Sequence, residues 1–245
     1  MSRQHTLKLL PVWLRDKVDV DHREITALME LVQGKVKENS LLLDAGAGEG
    51  QYRHYFSHVR YIGLDFALGD MDWNYSRLDA ISDLTRIPIA DGTFDAAICT
   101  QVLEHVREPK IVLQEINRVL LPGGHLFVSV PQWWFQHQKP HDYFRYTSFG
   151  LRYLFEESGF EVVFIKPMGG YFWFLSVVLQ GLHAHLFPTD RGPGWWRKLL
   201  MVPRLLTQTV FWTVVPLILF HLDRLDTNQD FTLGYVCECV KQLDI

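Results

Sequence analysis

The segment Asp44-Ala45-Gly46-Ala47-Gly48-Glu49-Gly50, directly after the apolar run Leu41-Leu42-Leu43, restricts the fold of this chain more than any other. Three apolar residues are too few for a helix, and a run stopped by an acid and a glycine cluster reads as a buried parallel strand. Similar runs recur at Tyr61-Ile62-Gly63-Leu64, Ala96-Ala97-Ile98-Cys99 and His125-Leu126-Phe127-Val128-Ser129-Val130. Helical signals lie between and before them. Asp21 can cap a helix that runs through Ile25, Leu28, Met29 and Val32 and stops at Gly34. Pro109 to Leu121 carries Ile111, Val112, Ile116 and Val119 at helical spacing, with Pro122-Gly123-Gly124 as the stop. Alternating strands and helices predict an α/β fold: a doubly wound, mostly parallel sheet with helices on both faces and right-handed crossovers.

Ligands of such sheets sit beyond the carboxyl ends of the strands, so the residues after each strand are the informative ones. Asp44 and the glycine loop follow the first strand, Asp65 the second, Asp83 the third and Gln101 the fourth. The loop alone can be a tight turn, and each acid alone a helix cap or a solvated charge. Three acids on successive strand ends around one glycine loop point instead to a ligand, with Asp65 placed to accept from a ribose diol. Gln51 stands where the dinucleotide fingerprint needs glycine, which disfavours a nicotinamide oxidoreductase. No Lys-Ser/Thr follows, which excludes a P-loop.

Composition narrows the classes further. With 48% hydrophobic and 21% charged residues the chain is not a disordered one. A net charge of −4 argues against a nucleic-acid partner held by phosphate neutralisation. Cys99, Cys237 and Cys239 form no CxxC pair and no Cys/His ligand spacing, so neither a disulfide framework nor a metal is expected.

As a set, Leu43-Asp44-Ala45-Gly46-Ala47-Gly48-Glu49-Gly50, Gly63-Leu64-Asp65, Ile87 to Asp95, Val102-Leu103-Glu104-His105-Val106 and Leu121-Pro122-Gly123-Gly124 resemble the class I S-adenosylmethionine-dependent methyltransferases. The nearest likeness is to the branch acting on small molecules, quinones and glycan or lipid intermediates. The resemblance implies a Rossmann-like seven-stranded sheet with an antiparallel last strand, and S-adenosylmethionine as cofactor. It places Asp44, Gly46 and Gly48 at the methionine end, Asp65 at the ribose, Asp83 at the adenine amine with Leu84 beside the ring, and Gln101 between cofactor and acceptor. Ala45-Gly46-Ala47 stands where many members have Leu-Gly-Cys.

The fifth strand leads into Gln132 to Thr147, which leaves the sheet on the cofactor side and contains Trp133, His141, Asp142, Tyr143, Arg145 and Tyr146. This stretch resembles the His-Asp-Tyr-aromatic-Arg-aromatic-Thr segment of one bacterial-type branch, where it precedes a helix like Ser148 to Ser158 here. The expectation is a substrate-facing loop in which Trp133, Tyr143, Arg145 and Tyr146 meet the acceptor. His141 is the candidate base and His105 its rival. The bland alternative is that Arg145 and Asp142 pair to pin the loop and His141 only caps a turn.

Glu161 to Lys166 reads as a sixth strand and Phe231 to Val240 as a seventh. Between them Met168–Thr189 and Leu205–Leu222 carry no charge. The expected organisation is residues 1–166 as the cofactor-binding core with an N-terminal helix, 167–229 as an apolar helical insertion, and 230–245 as the last strand. Within them Tyr171 to Phe187 and Leu205 to Leu222 are at the lower limit of membrane-spanning length and are interrupted by polar residues. An interfacial hairpin with Trp195-Trp196-Arg197-Lys198 at headgroup level fits better than a span; the alternative is a soluble lid or dimer interface. Met1 to Leu14 contains no signal-peptide apolar region, so a cytoplasmic protein is expected, peripheral on the membrane where the insertion meets lipid. The function expected is methyl transfer to a hydrophobic or lipid-linked small molecule. A membrane-surface binding or assembly protein that keeps the fold without turnover is the alternative.

Overall fold

The computed structural model describes residues 10–69, 73–186 and 206–243. Contacts divide the chain into two units, one of Glu24–Lys166 with Gly234–Ile245, the other of Met1–Arg23 with Pro167–Leu233.

The larger unit is built on β1 (Leu41–Ala45), β2 (Arg60–Asp65), β3 (Ala80–Ile81), β4 (Phe94–Thr100), β5 (Leu120–Pro131), β6 (Phe160–Pro167) and β7 (Gly234–Lys241). They form one sheet in the order β3-β2-β1-β4-β5-β7-β6. β1 pairs in parallel with both β2 and β4, whereas β7 runs antiparallel to β5. The Rossmann-like sheet with an antiparallel last strand, and a helical insertion between β6 and β7, is therefore present.

Burial on both faces explains why β1 reads as an unbroken apolar run. Leu43, Ala45, Ala97, Cys99, Leu126, Val128 and Cys237 belong to one core cluster. The same cluster takes Val112, Leu113, Ile116 and Val119 from α3 (Pro109–Val119), and Leu151 and Phe155 from α4 (Ser148–Glu156). Each such side chain contributes about 1.5–3 kcal/mol on burial. Glu238 points to the opposite face from its neighbours Cys237 and Cys239. Lys35, at the end of α2 (Val20–Lys35), reaches it at 2.6 Å, which puts α2 on the second face.

Several boundaries differ from the sequence reading. α3 stops at Val119, because Leu120 already pairs with Phe94. The register then shifts, and Ala96 pairs with His125, so Pro122-Gly123-Gly124 is a bulge inside β5 and not a stop after a helix. β7 begins at Gly234, three residues after Phe231. The β1–β2 crossover holds only a turn of 3-10 helix, Arg53–Phe56.

The smaller unit contains α1 (Val12–Val18), α5 (Tyr171–Leu186), a π-helical turn at Val210–Val214 and α6 (Val215–Leu222). Pro216 has no amide proton to give the carbonyl four residues back, and the π-helical turn sits directly before it. The start of α5 is capped by acids from beyond α6: Gly170 and Trp173 amides donate to Asp223, and the Tyr171 amide to Asp226 at 2.6 Å. Trp173 packs with Val20 and Leu233.

Polarity in this helical pair is reversed. Ser176, Gln180 and His183 are buried along α5, and His183 Nε2 lies 3.1 Å from Thr207 Oγ1. Val178, Leu182 and Leu186 are exposed on α5, as are Leu206, Val210, Val214, Ile218 and Leu222 at intervals of four. The expected anchor Trp195-Trp196-Arg197-Lys198 lies outside the described residues.

Candidate active site

Asp44 is the fourth residue of β1 and wholly buried. The Tyr61 hydroxyl donates to its Oδ2, while Oδ1 has no hydrogen-bond partner. Burial pushes its pKa up to about 7, against the pull of the Tyr61 hydrogen bond. The loop beyond turns back at once, with Gly46 and Ala47 amides donating to Leu64 O at 2.8 and 3.0 Å. Gly46 has φ +89°, and a Cβ there would lie 2.3 Å from Val102, so only glycine serves. Gly48, at φ +53°, sits under Trp73 and donates its amide to Asp65 Oδ2 at 2.9 Å.

Asp65 closes β2. Its Oδ1 accepts from the Ala67 amide at 2.7 Å, so each oxygen holds one backbone bond and keeps a lone pair. The Ser82 amide donates to Asp65 O, which ties the next segment to this one. There Asp83 Oδ1 accepts both the amide and the hydroxyl of Thr85 at 2.8 Å, and Leu84 is buried. At the tip of β4, Thr100 Oγ1 is buried without a partner. Gln101 adopts φ +55° and donates its amide to Ser129 O. A non-glycine residue in that region stores strain, a common feature of functional strand ends. A buried carboxylate oxygen without a partner, a glycine turn that a Cβ would fill and a half-satisfied acid at the next strand suit a cofactor with an ammonium and a ribose diol.

A second group of residues lies over the end of β4. Glu104 and His105 are in a 3-10 turn, Leu103–His105. The loop after β5 is held to it by four bonds: Tyr143 and Phe144 amides to Glu104 O at 2.8 and 3.3 Å, His105 Nδ1 to His141 O at 2.5 Å, and Tyr146 hydroxyl to Leu103 O at 2.6 Å. Arg145 grips Asp142 with both guanidinium nitrogens, at 2.6 and 2.8 Å, and also donates to Phe144 O and Phe135 O. That pairing holds the Asp142 carboxyl down at about 2. Arg145 and Asp142 thus pin the loop, and Tyr146 is part of the core cluster. His141 Nδ1 lies 3.2 Å from the Tyr143 hydroxyl, which also accepts from Arg107. Burial lowers His105 below the usual histidine range. Trp133 is exposed.

Four residues here, Tyr61, Trp73, Glu104 and His137, carry no functional signal of their own in the sequence. Tyr61 was hidden in an apolar run, and Glu104 stood beside His105 in a motif without a role of its own. His137 meets the rest only through the fold of the loop.

Residues 43–128 match the family model described as Methyltransferase domain. A demethylmenaquinone methyltransferase of Paenarthrobacter aurescens is 33% identical over 116 residues, 43% of this chain and 46% of that protein. A Homo sapiens protein named "Probable tRNA methyltransferase 9B" is 33% identical over 108 residues, 42% of this chain and 23% of that protein. The chain therefore spans less than half the length of these curated relatives. Among solved structures, the cyclase SpnF superposes with a TM-score of 0.56 at 20% identity, covering 89% of this chain and 81% of that one. A SAM-dependent methyltransferase from Methanosarcina mazei gives 0.51 at 14% identity, covering 87% and 98%. These likenesses show the fold, and a cyclase among them means that the fold alone does not fix the reaction. Sheet order, strand-end motifs and family match agree: the chain carries a class I S-adenosylmethionine-dependent methyltransferase domain.

Proposed function

We propose that this protein methylates a hydrophobic or lipid-linked small molecule at a lipid surface, where it binds peripherally from the cytoplasmic side. The reversed polarity of the helical unit carries the reading. A helical pair that buries Ser176, Gln180 and His183 and exposes eight aliphatic side chains is suited to an apolar neighbour on its outside. Leu206–Leu225 is also long and apolar enough to cross a membrane by length and composition, and 11% of its most apolar window is buried. The likeness to the Paenarthrobacter demethylmenaquinone methyltransferase supports a quinone-type acceptor. A tRNA acceptor fits poorly with 28 acidic against 24 basic residues.

S-adenosylmethionine, when bound, supplies an electrophilic methyl group on a sulfonium. The chain's own part is to hold and align. Asp44 would take the ammonium through the oxygen that Tyr61 leaves open, Gly46 and Gly48 would let the backbone approach, and Asp65 would accept from the ribose hydroxyls. Asp83 and Leu84 would meet the adenine, and Gln101 would line the wall toward the acceptor. His141 takes the acceptor proton onto Nε2, with Nδ1 donating to the Tyr143 oxygen. Trp133 and Tyr143 face the acceptor, while Arg145 and Tyr146 hold the loop that presents them.

The test supplies labelled S-adenosylmethionine and isoprenoid hydroquinones in vesicles, and measures label in the lipid extract. Transfer at least tenfold above a His141→Ala variant of unchanged cofactor affinity is expected. Cofactor binding without transfer to any lipid acceptor would overturn the reading. Asp65→Ala should weaken cofactor binding by about 1.5–3 kcal/mol in calorimetry, with NADH as the negative control.

A further inference from the structure

Glu104 is fully buried, and neither of its carboxylate oxygens has a hydrogen-bond partner. Folded proteins rarely leave a carboxylate so. The neighbouring cation, Arg145, is committed to Asp142 and to main-chain carbonyls. What does approach Glu104 is a pair of imidazoles. His105 Nε2 lies 3.8 Å from Glu104 Oε1, and the rings of His105 and His137 pack edge to face with centroids 4.7 Å apart. One ligand atom from each of the three residues falls within 4.8 Å of the others.

The protons on these rings follow from their other partners. His105 Nδ1 bonds His141 O at 2.5 Å, and His137 Nδ1 bonds Phe135 O at 3.0 Å. A carbonyl only accepts, so each Nδ1 carries the hydrogen and each Nε2 presents a lone pair. A backbone carbonyl on the far nitrogen is what orients metal-bound histidines. Each neutral ring thus keeps a lone pair on Nε2, beside a Glu104 carboxyl that burial favours in its protonated form and that a bound cation would ionise. Asp142 Oδ2, 3.6 Å from His137 Nδ1, adds negative charge behind one ring.

We infer that Glu104, His105 and His137 bind one divalent transition-metal ion. Two imidazoles and a carboxylate suit zinc, cobalt or ferrous iron and not the all-oxygen cations magnesium and calcium. Ligand bonds of about 2.0–2.2 Å require the three groups to close by roughly 1 Å. The move falls to His137, which sits on a loop, because Glu104 and His105 share one short turn. Three protein ligands leave a coordination position for water or for an oxygen of the acceptor. The site does not depend on the proposed methyl transfer, and its test reads metal alone. The competing arrangement is a protonated Glu104 that hydrogen-bonds His105 with no ion.

Full-length protein stripped with chelator is titrated with Co²⁺ and Zn²⁺, following stoichiometry by equilibrium dialysis and the ligand field of Co²⁺ by visible absorption. One ion per chain is expected, with the absorption of a low-coordinate N/O site. His137→Gln should weaken binding at least about tenfold, and Glu104→Gln likewise, while His54→Gln, an exposed histidine elsewhere, leaves it unchanged. His137 is partly exposed, so its variant decides the matter even if Glu104→Gln fails to fold. Lack of saturable binding, or equal affinity in His137→Gln of unaltered circular dichroism, overturns the inference and leaves the protonated carboxyl.

Discussion

Asp44 is subject to two opposing demands. Free of ligand it is buried with one oxygen unpartnered, and burial raises its pKa to about 7. The native state therefore binds this proton more tightly than the unfolded chain does. Its contribution to stability is full below the unfolded carboxylate value, and is lost as pH rises through about 7. A cation at Oδ1 reverses the preference, since it favours the ionised form. Affinity for S-adenosylhomocysteine should then fall as pH drops below 7, by up to about tenfold per unit, with proton release on binding. Asp44→Asn should weaken binding, remove that part of the pH dependence and stabilise the ligand-free protein at pH 8. Calorimetry in buffers of different ionisation enthalpy checks it; wild-type binding without proton release, and parallel to the variant across pH, would refute the assignment. Asp44 itself was legible as a candidate, because it stands between an apolar run and a glycine loop, at a strand end with further acids on the next strands. Tyr61 was not, for its approach depends on register: Asp44 pairs with Gly63, which brings the strand of Tyr61 alongside. The convergence of Glu104 and His137 was still less visible, as nothing in local spacing links a turn after β4 to a loop after β5.

At the scale of elements, the loop after β5 behaves as a fixed part of the site, and the reason is Arg145. Five carbonyl and carboxylate oxygens receive its guanidinium, two of them on the nearly buried Asp142. Removing the guanidinium leaves that carboxylate unpaired. Arg145→Met should destabilise the protein by about 2–3 kcal/mol and lower the melting temperature by about 4–12 °C. The depressed Asp142 value also means that this pair stabilises the fold above the unfolded carboxylate pKa and loses that contribution as pH falls toward about 2. The variant should therefore show a weaker loss of stability between pH 5 and 3 than the wild type. Equal acid sensitivity in both proteins would place the coupling elsewhere. Element types were readable from period, because β1, β4 and α3 are strongly patterned. Their edges were not. Leu120 and Leu121 satisfy the end of a helix and the start of a strand equally well, and only the pairing with Phe94 decides between them.

For the molecule as a whole, charge distribution sets what the helical unit meets. The uncharged stretches were plain in the sequence, but Gln180 and His183 read there as interruptions of an apolar helix. The fold makes them its inner seam, together with Ser176. The stripe from Leu206 to Leu222 is left outside, with Leu206 65% and Ile218 53% exposed. Burying such residues in an acyl layer contributes about 25 cal/mol for each Å² of apolar area. The net charge of −4 offers no general attraction to an anionic surface. Binding to vesicles driven by the stripe should therefore survive high salt, which screens charge and strengthens apolar burial. In flotation with phosphatidylglycerol and phosphatidylethanolamine vesicles, the wild type should rise with the lipid at low and high salt alike. Leu182→Glu combined with Ile218→Glu should stay in the aqueous fraction, at least about tenfold depleted from lipid, while its affinity for S-adenosylhomocysteine is unchanged. A wild type that remains in solution as a dimer, and becomes monomeric in the double variant, would assign the same stripe to a second copy of the chain. The proposal of a lipid surface would then fall, while the cofactor site around Asp44 and Asp65 would stand on its own evidence.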